Sequence, residues 1–282
     1  MTEFSTFAFL LVLAAAVLHA TWNAIVKGAG DQTLSLGLVS LPHVFIGGAM
    51  AYFFLPPLAE SWPFIIASTV IHFFYYAFLL RSYRFGDLSQ VYPISRGIAP
   101  VLITVGALVF TGELLPLLGW FAIFLVSIGV CLPAILNRGK ASHPKAIIAA
   151  LATGVFIASY SIVDGIGVRT SGSPLGYIGW LFILEIFVVV FIFHRRRSQL
   201  RTTSAKIWII GLIGGSASAA AYGLALYAKS IAPLGAVSAV RESSVVMAAL
   251  IGIVFLGERP WKIRIMSAVI VACGVIVLAL FV

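Results

Sequence analysis

Apolar residues run along the chain in stretches of about 20, each broken by a few polar, glycine or proline positions, and a helix of that length crosses the hydrocarbon core of a bilayer. The pattern predicts spans at 5–26, 33–55, 62–83, 88–110, 115–136, 145–168, 174–193, 207–229, 234–255 and 260–282. Almost nothing is left over for a water-soluble domain. The expected fold class is an all-α integral membrane protein of ten transmembrane helices.

The pattern also repeats. Laying 87–136 over 232–281 without a gap matches Arg96 to Arg241, Gly112-Glu113 to Gly257-Glu258, and Gly129 to Gly274. Charged residues are rare inside such spans, so a matched intramembrane arginine is a stronger signal than matched valines. The first spans of the halves align at a different offset, with Ala20-Thr21-Trp22-Asn23 over Ala158-Ser159-Tyr160-Ser161. The expected division is therefore 1–138 and 139–282, five spans each. Five is odd, so the second copy enters the membrane upside down. Inverted repeats are a mark of secondary transporters, in which a solute site lies between the halves and two near-equivalent packings open it to either side. The same duplication can also serve simply to build a stable bundle, as in some channels.

Composition agrees with the pattern. Of 282 residues, 61% are hydrophobic and 10% charged, against about 25% charged in an average soluble domain. The net charge of +9 would suggest nucleic acid in a soluble protein, but here the basic residues cluster at span ends, so the partner is the lipid bilayer and not nucleic acid. Connections after odd-numbered spans carry nearly all of them, including Lys27, Arg81, Arg84, Arg138, Lys140, Lys145, Arg195, Arg196, Arg197, Arg259, Lys262 and Arg264. The opposite side holds Arg169 and Lys229. The positive-inside rule then predicts a multi-pass protein of the plasma membrane, a bacterial inner membrane, with odd connections cytoplasmic and both termini outside. No basic residue precedes the first span, which is longer than a signal-peptide core and is expected to be retained, with no separate targeting signal. Cys131 and Cys273 sit mid-span among apolar residues and suggest packing rather than a disulfide or metal.

His19-Ala20-Thr21-Trp22-Asn23-Ala24 with Lys27, the stretch Tyr83-Arg84-Phe85-Gly86-Asp87-Leu88-Ser89-Gln90-Val91-Tyr92-Pro93-Ile94, Ala232-Pro233-Leu234, and Leu256-Gly257-Glu258-Arg259 together resemble the ten-helix EamA-type members of the drug/metabolite transporter superfamily. The resemblance covers essentially the whole chain. It implies export of metabolites, amino acids among them, from a central cavity between the halves, driven by an ion gradient or by exchange. Members are usually drawn with both ends cytoplasmic, so the loop charges depart from that picture.

The residues themselves supply candidates. Arg96 lies between Pro93 and Pro100, and Arg241 occupies the matching place followed by Glu242. Each must face a partner, a cavity or water. Either they hold a carboxylate or phosphonate-like group through the planar guanidinium fork, or they form ion pairs, Arg241 with Glu242, Glu185 or Asp164. The two prolines remove backbone donors and are expected to kink the fourth span beside Arg96. Coupling candidates are Glu185, near the middle of the seventh span, Glu242, and Asp164, which could also simply cap the sixth. His19, Trp22 and Asn23 share one face of the first span, and Tyr92, Tyr76, Tyr160 and Tyr222 suit a wet cavity wall or an interfacial belt. His19, His43 and His72 fall one per span, without a chelating pair, so neither a metal nor a cofactor is expected. Gly112-Glu113 and Gly257-Glu258 are expected to close tight turns. No nucleotide-binding loop or catalytic motif occurs.

The expected function is a secondary transporter that exports a small polar metabolite, anionic or zwitterionic, such as an amino acid or organic acid, by alternating access, with a coupling proton or exchanged metabolite. The chain is not expected to be an enzyme. The alternatives are a membrane scaffold and a polytopic enzyme built on the histidines.

Overall fold

The computed structural model describes residues 4–26, 31–85, 88–136, 144–247 and 261–282. Lys27, Gly86-Asp87, Arg138, Lys140, the later part of the ninth span, Gly257-Glu258 and Arg259 lie outside the described residues.

The chain forms α1 (Thr6–Val26), α2 (Gln32–Phe53), α3 (Trp62–Phe85), α4 (Leu88–Thr111), α5 (Leu117–Leu136), α6 (Pro144–Thr170), α7 (Pro174–Leu184), α8 (Ile186–Arg195), the short α9 (Arg197–Thr202), α10 (Ala205–Ile231), α11 (Leu234–Arg241) and α12 (Trp261–Phe281). There is no strand among the described residues. Nine stretches of the described residues are long and apolar enough to cross a membrane, α7 and α8 together forming one of them. Local chemistry sets several ends. Asp31 accepts hydrogen bonds from the Thr33 and Leu34 amides to cap α2, Ser173 caps α7 with Pro174 in its first turn, and Gly112 takes φ +70° after α4, the left-handed conformation that glycine adopts without a Cβ clash.

Two spans are interrupted where the hydropathy pattern predicts continuity. The seventh breaks between α7 and α8 at Glu185, whose amide reaches the Phe182 carbonyl at 3.2 Å. The ninth tightens after α11, where Glu242 and Ser243 donate to Ala239 and Val240 at 3.0 and 2.9 Å. These are i to i−3 bonds, the tighter winding that often marks a functional hinge. In contrast, α4 stays helical through Pro93 and Pro100.

Polarity is inverted relative to a water-soluble protein. Phe7, Leu10, Phe110, Leu117, Phe187 and Val190 are exposed, whereas His43, Arg96, Asp164, Lys229 and Glu242 are buried. That distribution suits a lipid solvent, into which apolar side chains transfer freely and charges do not.

Helix pairs follow a regular scheme. α1 packs on α10 and α3 on α6; α4 packs on α6 and α11 on α1; α2 faces α7, and α5 faces α12. Exchanging the first five spans with the last five turns each pair into another or into itself. The α5–α12 seam shows this at atomic level. A Cβ on Gly129 would come within 2.8 Å of Val271, and one on Gly274 within 2.7 Å of Val126, so each glycine admits a valine from the opposite helix, as small residues do in membrane interfaces.

Candidate functional site

The site lies where α4, α6, α10 and α11 meet. Arg96 projects from α4 and Glu242 from the turn after α11, both buried. Arg96 Nε donates to Glu242 Oε2 at 3.1 Å, and Nη2 lies 2.7 Å from Oε1. The second approach is a close charge contact rather than an aligned hydrogen bond, since Nη2 has no partner of good geometry. The two residues come from opposite halves of the chain. This corrects the expected pairing of Arg241 with its neighbour Glu242: consecutive helical residues do not face each other. Arg241 instead sets its guanidinium 5.9 Å from the ring centre of Tyr222, a cation–π distance.

Arg96, Arg241 and Glu242 line a cavity with Ser161, Lys229 and Ser238, over an apolar floor of Ala99, Pro100, Ile103, Ile157 and Val237. Its volume is about 10 Å³, room for about one water molecule. This cavity is thus smaller than the solute-sized chamber expected. Pro100 has no N–H to donate to the carbonyl of Arg96, which leaves that oxygen without its usual helical partner beside the cavity.

By sequence Lys229 reads as a loop charge on the Arg169 side. It is instead 1% exposed, with Nζ donating to the Ser161 carbonyl at 3.2 Å. Nothing local in the sequence marks it, because its partner is 68 residues away. Arg169 is engaged as well: it pairs with Glu113 at 2.5 Å and donates to the carbonyls of Lys229 and Ala232. Glu113 also accepts from the Leu234 amide at 2.8 Å. The Gly112-Glu113 turn therefore clasps the ends of α6 and α10 and the start of α11.

Asp164 does not cap α6. Its carboxylate is fully buried, accepting from Tyr177 at 3.1 Å and from Tyr222 at 2.5 Å. Around it stands an aromatic cluster in which His72 stacks on Tyr160, centroids 4.1 Å apart. Tyr75, Tyr76 and Tyr222 lie within 6.2 Å of His72. Tyr160 and Tyr222 also meet, centroids 6.2 Å apart, but neither they nor Tyr76 is among the residues lining the cavity.

His19 gathers its own group. Trp22 Nε1 donates to His19 Nδ1 at 3.3 Å, and the Tyr92 hydroxyl lies 3.5 Å from Nε2. Asn23 turns back to donate to the His19 carbonyl at 2.7 Å. Glu185 is elsewhere, with His43 Nδ1 3.8 Å from its Oε2, too far for a hydrogen bond. That Oε2 is buried without a hydrogen-bond partner. His19, His43 and His72 thus belong to three separate groups, and among the described residues no three histidine, cysteine or acidic side chains gather into a metal site.

Residues 144–280 match the EamA-like transporter family. That part of the chain, α6 to α12, is EamA-type. The match supports a transporter role. The matched region supplies α6, α10 and α11, hence Asp164, Lys229, Arg241 and Glu242. A solved crystal structure described only as that of a protein aligns over 100% of both chains, with a TM-score of 0.76 and 16% identity; the likeness is one of fold. No curated protein matches the chain by sequence.

Proposed function

We infer that this protein is an EamA-type secondary transporter that exports a small anionic or zwitterionic metabolite by alternating access, its halves being the inverted repeats 1–138 and 139–282. The observation that carries the reading is the buried Arg96–Glu242 pair, which joins the halves beside Arg241 in a cavity with charged side chains over an apolar floor. A guanidinium this deep must be compensated, and a pair drawn from two halves is broken whenever they separate. Solute binding requires that separation, because the closed cavity holds about one water. The freed Arg96 and the nearby Arg241 then face the solute, with Tyr222 and Tyr160 as one wall.

The interruptions at Glu185 and Glu242 are suitable hinge points. Glu185 and Asp164 are the carboxylates available for proton coupling, Glu185 because Oε2 lacks a hydrogen-bond donor and Asp164 because phenols rather than cations hold it. The loop charges orient both termini outward. Lys229 and Arg169 strengthen that tally, since the first is buried and the second is neutralised by Glu113.

The test is efflux of radiolabelled amino and organic acids from proteoliposomes. Arg96→Gln and Arg241→Gln are expected to insert normally and abolish flux. Unaltered flux in both would remove the arginines from the mechanism.

A further inference from the structure

The charges lining the cavity do not balance. Arg96, Arg241 and Lys229 enter it from α4, α11 and α10, while Glu242 is the one carboxylate in the lining and is engaged by Arg96. Asp164 lies three residues beyond Ser161 on the same helix, but both its oxygens accept from phenols, Oδ1 from Tyr177 and Oδ2 from Tyr222. Among the described residues no carboxylate lies within ion-pair distance of Lys229 or of Arg241. Among the described residues the Lys229 side chain has one hydrogen-bond partner, the Ser161 carbonyl.

An ammonium buried to 1% exposure and met by a single carbonyl is a costly choice in a helix where methionine would fill the same volume. Arg241 offers a planar fork and Lys229 a compact point charge. Together they suit an acceptor with two oxygens, and the adjoining Ser161 and Ser238 offer hydroxyl groups to the same ligand.

We propose that Lys229 and Arg241 together seat a carboxylate of the solute, bridging α10 and α11. The assignment rests on the reading of this cavity as the solute site and adds to it the chemical class of the ligand. With the carboxylate bound, the excess positive charge of the lining is halved, and α11 is held to α10 through the solute. In its absence the cavity closes, and Glu242 keeps Arg96 satisfied.

The test uses the full-length protein in detergent and measures binding of radiolabelled succinate, L-aspartate and L-alanine, each competed by its unlabelled acid or its amide. The wild type is expected to bind at least one of the three, displaced by the acid and not by the amide. Lys229→Met is expected to weaken that binding by about tenfold or more while the unliganded protein melts no lower than the wild type, because an uncompensated buried charge has been removed. Lys229→Gln is the second variant, with the same expected loss of binding. Full binding in both Lys229 variants, with binding abolished in Arg241→Gln, would overturn the seat while preserving the cavity as the solute site. Undiminished binding in all three variants would overturn both readings, and so would failure of every acid to bind the wild type. A lower melting temperature in Lys229→Met with unchanged binding would make Lys229 a structural strut and overturn the proposal.

Discussion

Arg96 and Glu242 stand 146 positions apart in sequence and meet at 3.1 Å between Nε and Oε2, in a site from which lipid and bulk water are both excluded. Removing one partner of such a pair leaves the other as an uncompensated buried charge, at a cost of about 3–5 kcal/mol, whereas removing both can be nearly neutral. Arg96→Gln and Glu242→Gln are therefore each expected to lower the melting temperature in detergent. The double variant is expected to regain most of the loss. Equal destabilisation by the double variant and the sum of the singles would show that the pair is not coupled.

Tyr177 and Tyr222 are the two donors to Asp164. Loss of one donor to a buried acceptor costs about 1–3 kcal/mol, so Tyr177→Phe and Tyr222→Phe should each destabilise the protein. Tyr222→Leu is expected to impair transport as well, since it also removes the ring that lies against Arg241. Thermal unfolding and efflux separate the two effects. A Tyr222→Phe protein with wild-type stability would contradict the Asp164 assignment.

The α5–α12 seam gives a test of the exchange relation between the halves. Gly129 receives Val271 and Gly274 receives Val126, so Gly129→Val and Gly274→Val should overpack equivalent contacts, each by about 1–3 kcal/mol. Similar drops in melting temperature are expected. A large drop in one and none in the other would break the equivalence.

The Glu113 clasp joins the turn after α4 to α6, α10 and α11. Glu113→Gln keeps the shape but removes the charge that neutralises Arg169. Labelling of an introduced cysteine at Ser171, buried in the wild type, should then accelerate. Unchanged labelling would show that the clasp does not hold this face shut.

Much of the fold is legible in the sequence because hydropathy and helix length are local properties: the spans through α6 fall within a few residues of their predicted limits. The matched Arg96 and Arg241 likewise predict a polar centre, and both line the cavity. What local reading misses is set by distant partners. Lys229 looks like a helix-end charge until α6 brings the Ser161 carbonyl to it. Asp164 looks like a cap until Tyr177 and Tyr222 close over it. The break at Glu185 has no proline to announce it, while Pro93 and Pro100 leave α4 continuous.

Tethering α4 to α11 tests the central claim most directly. An added Cβ at Gly235 would lie 3.1 Å from Thr104 Cβ, a few tenths of an ångström inside the disulfide range of about 3.5–4.5 Å, so Thr104→Cys with Gly235→Cys, in a background lacking Cys131 and Cys273, can be joined by oxidation after a small outward shift. Flux of a radiolabelled carboxylate carried by the reduced protein is measured in proteoliposomes before oxidation, after oxidation and after re-reduction. The account predicts that flux stops when the disulfide forms and returns when it is reduced. Undiminished flux through the fully cross-linked protein would contradict it.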